Sequence, residues 1–351
     1  MRYNPALDGL RAIAVLMVMC FHATVPRASG GYLGVDVFFV LSGFLITSLL
    51  IAETDRTGTI QLKRFYKRRL ARLTPALLLM LLAYMLLAPF AWPQLSPSAD
   101  ARDSAIALFY LADYASAFWQ IPENLRHTWS LAVEEHFYLL WPAVVLLLHR
   151  VHSPKKRIAI LGGMYIVFTL WRIKCDLNGG HSYDLTYYRF DTRLSGLTIG
   201  ALLAFVLNTK PERFAALDLN FLAPVSFFIF ALCTWRFRIA STAAMTYGIV
   251  SIELASLLLI FIIVNKRSGW AYWLLSNRAA AFIGRMSYGL YLWHYPIFHY
   301  LWGRFDWYVI LPLGGAISLM LAVISYYTVE RFARQRFRTD HTTQIVAQST
   351  S

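Results

Sequence analysis

The sequence predicts an all-α protein that crosses a membrane about ten times, with both termini on the cytoplasmic side. Three observations predict it. Hydrophobic residues make up 58% of the 351 positions and charged residues only 15%, whereas a soluble domain carries roughly 25% charged residues. Apolar runs recur at the length a bilayer demands, since a helix rising about 1.5 Å per residue needs about 20 residues to cross about 30 Å of hydrocarbon. Basic residues gather on alternate connections, as cytoplasmic loops do. Together these exclude an ordinary soluble enzyme, a disordered chain and a disulfide scaffold.

The apolar runs fall at 10–25, 32–52, 73–91, 129–149, 157–174, 190–208, 219–235, 244–264, 281–302 and 308–330. The stretch 103–119 is shorter and carries Asp113, so it reads as an interfacial or re-entrant segment. With the N-terminus inside, the inner segments hold 21 of the 33 Lys and Arg residues, seven of them in 53–72, while the outer loops hold 8. The remaining four, Arg11, Arg172, Arg193 and Arg285, lie within spans. The net charge of +14 is thus largely topology, and no nucleic-acid partner is expected. The first run holds Arg11 and lacks a small-residue cleavage pattern, so no cleavable signal is expected. Residues 1–338 read as one transmembrane domain and 339–351 as a short polar cytoplasmic tail, expected to be disordered. Cys20, Cys175 and Cys233 sit in or beside apolar runs as small core residues, and no metal site is expected.

With no room for a soluble catalytic domain, any chemistry must occur among the helices. A charge inside a span costs at least about 2.5–3.5 kcal/mol, which makes each one a functional candidate. Arg11 and His22 stand eleven residues apart. At about 100° per residue they share a face, about 16 Å apart in height, with His22 toward the outer surface. The short turn after His22, with Gly30, Gly31 and Gly34, brings Asp36 back at a similar depth. A carboxylate beside an imidazole fixes its tautomer and raises its basicity, as a general base requires. The alternative is a structural ion pair. Span four opens with His127-Thr-Trp-Ser-Leu-Ala-Val-Glu134-Glu135-His136, placing both carboxylates in the outer half, level with His22. Adjacent carboxylates point about 100° apart, so one faces a site and the other pairs elsewhere, with Arg193 available. Spacing leaves open which is which.

In span nine, Ser287, Tyr291 and His294 share one face at intervals of four and three. The stripe either lines a cavity or bonds a neighbouring helix. His299 carries no assigned role. At the inner surface, Lys63 to Arg72 holds six basic residues in ten, ordinary for a cytoplasmic loop. Yet Arg69 and Arg72 share a helical face where span three begins, and such an arginine pair suits bidentate phosphate binding. With Arg68 they form a candidate donor-binding cluster. A basic inner mouth and a His–carboxylate group at the outer end suggest a donor entering from one side and an acceptor waiting on the other.

These motifs in order resemble acyltransferase family 3 over about residues 4–330. They are Leu7-Asp-Gly-Leu-Arg11 with His22 following, Gly34-Val-Asp36-Phe-Phe-Val-Leu-Ser-Gly43, Arg69-x-x-Arg72, Thr128-Trp-Ser-Leu-Ala-Val-Glu134-Glu135, and Gly284-x-x-Ser287-Tyr288-x-x-Tyr291-x-x-His294-x-Pro296. The resemblance implies a ten-span domain of the bacterial cytoplasmic (inner) membrane. It would move an acyl group, usually acetyl, from cytoplasmic acyl-CoA to a hydroxyl of a surface or exported glycan. Acyl-CoA is then a co-substrate, with no permanently bound cofactor, and the partners are the donor, a glycan or lipid-linked glycan, and the bilayer. The family's essential first-span Arg and His carry over to Arg11 and His22, and its donor-handling pair to Arg69 and Arg72. The chain resembles the stand-alone branch, without a fused hydrolase-like domain. His136 departs from the Gln common in relatives.

A sugar hydroxyl is a poor nucleophile near neutral pH and needs a base in contact. The expected base is His22, oriented by Asp36 or by one of Glu134 and Glu135, with Arg193, Ser287 or Tyr291 at the developing oxyanion. Direct transfer and an acyl-histidine intermediate both fit. The competing expectations are an acyltransferase acting on a small molecule, a transporter or flippase of glycan intermediates, and a structural subunit. Acceptor selectivity is expected in the outer loop 92–128.

Overall fold

The computed structural model describes residues 3–178, 183–209, 217–333 and 335–336, so the expected tail 339–351 lies outside the described residues. Every regular element among them is helical. In chain order these are α1 Pro5–His22, α2 Gly34–Thr57, α3 Leu62–Ala91, α4 Pro97–Leu108, α5 Ala112–Trp119, α6 Trp129–Arg150, α7 Pro154–Leu177, α8 Tyr183–Tyr187 and α9 Phe190–Thr209. There follow α10 Ala223–Arg236, α11 Ala244–Asn265, α12 Trp270–Ser276, α13 Arg278–Leu301 and α14 Trp307–Ala333. Among the described residues, eight segments are long and apolar enough to cross a membrane. They correspond to expected spans one to six, eight and ten. The other two fall short by one criterion each. The 14 residues of α10 reach only about 21 Å, and α13, 24 residues long, is diluted by its own polar stripe.

The third span departs most from expectation. The basic segment does not form a loop: α3 starts at Leu62 and runs for 30 residues. Lys and Arg are good helix formers, and no glycine or proline interrupts 62–74. Arg69 and Arg72 therefore ride on a rigid helix. The stretch 103–119 forms α4 and α5, broken at Phe109–Leu111, with Asp113 fully buried against His136 (Oδ2 to Nδ1 3.1 Å).

The middle of the bundle is made by α1, α2, α9 and α13. Helices α2 and α9 pack most closely, because Gly43 faces the Leu197 carbonyl and Gly200 faces the Val40 carbonyl with no room for a Cβ. Small residues are what allow helix backbones to approach in a membrane. Helix α1 lies against α13. Large apolar side chains stay exposed on α3 (Leu78, Leu82, Leu86, Phe90), α7 (Ile166, Val167, Leu170) and α14 (Leu313, Met320, Ile324). On a chain this apolar, such faces meet lipid tails.

Candidate functional site

The N-terminal three turns of α1, α3 and α13 carry Arg11, Arg69, Arg72 and Arg285 to one end of the bundle, where they line a cavity of about 580 Å³. The guanidinium groups of Arg11 and Arg69 are braced by their neighbours. Arg11 binds Asp8 (Nη1 to Oδ1 3.1 Å), and Tyr3 donates its hydroxyl to the same carboxylate (2.7 Å). Arg69 lies over the Tyr138 ring at 4.6 Å. Tyr138 in turn donates to Glu134 (2.7 Å), whose other oxygen accepts from Ser42 (2.9 Å). The cavity is thus a funnel whose four arginines outnumber the three carboxylates in its wall, Asp8, Glu134 and Glu330. Going inward it is lined by Phe38, Ser287, Ser130 and Tyr291. Ser130 and Tyr291 hold each other hydroxyl to hydroxyl at 2.7 Å, and Tyr291 donates to the His127 carbonyl (2.9 Å).

Behind that pair lie three imidazoles. The ring of His294 is 5.4 Å from Tyr291, 5.9 Å from His127 and 5.1 Å from His22. His22 Nδ1 and His294 Nε2 are 2.9 Å apart. Their tautomers follow from what surrounds them. His294 Nδ1 faces the carbonyls of Leu290 (3.1 Å) and Tyr291 (2.8 Å). A carbonyl oxygen only accepts, so this nitrogen bears the proton and Nε2 is the acceptor. His22 must then donate from Nδ1, which leaves the lone pair of its Nε2 available as a base. His127 stacks on Tyr295 at 4.8 Å, and Tyr295 stands edge-on to His22 at 5.0 Å.

Several sequence expectations change here. Asp36 lies near the depth of His22 but does not contact it. Its carboxylate binds Arg193 (2.7 Å), both side chains almost wholly buried. The Arg193 guanidinium is enclosed by Tyr187, Trp129 and Phe39 at 4.7, 5.5 and 5.6 Å, and it does not line the cavity. Among the described residues it pairs with Asp36 and makes no ion pair with Glu134 or Glu135. Glu134 and Glu135 are not level with His22. Glu134 lies in the cavity wall nearer the arginines, about 10 Å along α6 from His127, while Glu135 stays out of the cavity with one carboxylate oxygen buried and unbonded. Of the arginine triplet, Arg69 and Arg72 line the cavity; Arg68, exposed and about 100° round the helix, does not. Ser287 lines the cavity, and His294 is the hydrogen-bonding partner that the carboxylates were expected to be.

Sequence reasoning missed His127, Ser130, Tyr138 and Tyr295. The first three, with Glu134, fall at intervals of three, four and four, one stripe of α6 and the turn before it. That period could have found them. Tyr295 has no such signal. A second buried polar group also went unread: Arg172 on α7 donates to Ser195 (2.5 Å) and the Met245 carbonyl (3.0 Å), 3.5 Å from Glu253.

Fold and site together define an integral membrane protein with an arginine-lined cavity and a buried, hydrogen-bonded pair of imidazoles among its helices. More narrowly, the chain belongs to acyltransferase family 3: residues 4–329 match the family's acyltransferase domain. It is 36% identical over 359 residues to the O-acetyltransferase OatA of Staphylococcus aureus (strain NCTC 8325 / PS 47), covering 95% of this chain and 58% of that protein. It is 33% identical to the putative O-acetyltransferase SAS0844 of Staphylococcus aureus (strain MSSA476), covering 94% of this chain and 57% of that protein. The chain thus spans under two thirds of the length of these curated relatives. No solved structure matches the chain.

Proposed function

We propose that the protein is an O-acetyltransferase of the bacterial cytoplasmic membrane, with ten spans and both termini in the cytoplasm. It takes acetyl from cytoplasmic acetyl-CoA and esterifies a hydroxyl of a glycan on the far side. One observation carries this reading: the arginine-lined cavity ends at the Ser130–Tyr291 pair, directly against the His294–His22 dyad. Arg69 and Arg72 bind the phosphates of the donor at the mouth, where planar guanidinium groups match phosphate oxygens. The narrow pantetheine arm runs up the funnel while the nucleotide stays outside.

His22 Nε2 accepts the proton of the glycan hydroxyl as its oxygen attacks the thioester carbonyl carbon. The carbonyl π electrons move onto oxygen, and the Ser130 hydroxyl, freed from Tyr291 by rotation, donates to that oxyanion. Collapse restores the carbonyl, breaks the C–S bond, and the departing thiolate takes the proton from His22. Products are an acetyl ester and free CoA thiol. His294 keeps His22 in the basic tautomer throughout.

The test is release of CoA thiol by the purified protein given acetyl-CoA, with and without polysaccharide extracted from cell envelopes. Release should require the polysaccharide and vanish in His22→Ala. Folded protein that neither binds acetyl-CoA nor releases thiol would sink the transferase reading. Retained turnover in His22→Ala would remove His22 from the mechanism.

A further inference from the structure

At the opposite end of α1, α3 and α13 from the arginines lies a second cavity, of about 490 Å³. Its walls are aromatic: Trp92, just past α3, and His299 and Trp302 at the end of α13. Trp92 is 6.0 Å from His299, and His299 is 4.9 Å from Trp302. Its rim is polar, with exposed Gln94 and Arg304. His299 Nδ1 is buried without a hydrogen-bond partner. This cavity adjoins the imidazole dyad. The Trp302 indole donates to the His22 carbonyl (2.6 Å), and Tyr295 spans the gap, 5.0 Å from the His22 ring, 5.8 Å from His299 and 6.1 Å from Trp302.

We propose that this cavity is the acceptor subsite and that it holds one pyranose ring of a glycan. The inference rests on the transferase reading and adds where the acceptor binds. A pyranose has an apolar C–H face and an edge of hydroxyls. Flat aromatic walls suit the face, and a few convergent polar groups suit the edge. Trp92 and Trp302 supply the walls. His299, Gln94 and Arg304 supply donors and acceptors for the hydroxyls, the buried His299 nitrogen gaining the partner it lacks. The cavity is too far from the arginine mouth to serve the same ligand, since Arg72 and Trp92 are 20 residues apart along α3, about 30 Å. Donor and acceptor therefore approach the dyad from opposite ends.

The experiment measures KM for both substrates in the thiol-release assay, using cell-envelope polysaccharide as acceptor probe. The variants are Trp92→Ala, Trp92→Phe, His299→Ala and Gln94→Ala. Trp302 is left intact because its indole holds the His22 backbone. Trp92→Ala and His299→Ala should raise the acceptor KM about tenfold, the scale of one aromatic contact, with the acetyl-CoA KM unmoved. Trp92→Phe should restore much of the loss, and the exposed Gln94→Ala should give a smaller rise in the same KM. An unchanged acceptor KM, or equal rises in both KM values, overturns the assignment. Wild-type protein with no polysaccharide-dependent release fails the transferase reading itself and removes this one with it. That outcome is distinct, because it precedes any variant.

Discussion

Removing Asp36 should unfold the protein rather than disarm it. Asp36 sits in the first turn of α2 and Arg193 in the first turn of α9, and their 2.7 Å ion pair joins the two most closely packed helices. Asp36→Ala leaves a guanidinium among three aromatic rings with two further nitrogens already unbonded. Removing one partner of a buried pair costs about 3–5 kcal/mol, because the remaining charge has neither water nor counterion. Replacing both by apolar residues of similar volume is often neutral or better. The double variant Asp36→Leu with Arg193→Met should therefore recover most of the stability that Asp36→Ala loses. The assay is thermal loss of monodisperse protein in one detergent, alongside thiol release. Transfer should track the folded fraction in both variants. A double variant as stable as wild type yet inactive would refute the reasoning and return Asp36 to the chemistry.

Two other predictions separate the roles within the site. Arg69→Ala should raise the KM for acetyl-CoA by about tenfold to a hundredfold, the loss of a charge-assisted hydrogen bond worth about 1.5–3 kcal/mol. Arg68→Ala should leave it unchanged, and equal effects in the two would show that only net charge matters. His294→Ala removes a neutral hydrogen bond of about 0.5–1.5 kcal/mol, so kcat should fall about twofold to tenfold, against about 10²–10⁴ for the base itself. A His294→Ala enzyme as inactive as His22→Ala would make His294 a direct participant.

Much of this was legible in the chain. The placement of eight of the expected spans follows from hydropathy, since hydrocarbon admits few alternatives to an apolar helix. Arg11, Arg69 and Arg72 were found by helical period, which places residues of one helix relative to each other. Period says nothing about which face meets which neighbour, and that is where the reading of Asp36, Arg193 and the two glutamates changed. The length of α3 is illegible for a different reason: a basic run reads as a loop, whereas Lys and Arg extend a helix readily once it leaves the bilayer.

The sequence by itself determined an all-α membrane protein, its family, the arginine mouth and the candidate base. Only the tertiary structure decided that His22 is bound to His294 and not to Asp36, that Glu134 and not Glu135 faces the cavity, and that a second, aromatic cavity adjoins the dyad. The physical reason is the rotation of α1, α2, α6, α9 and α13 about their own axes. Close approaches such as Gly43 to Leu197 and Gly284 to Asp8 set those rotations. They belong to pairs of helices distant in the chain, and no local pattern records them.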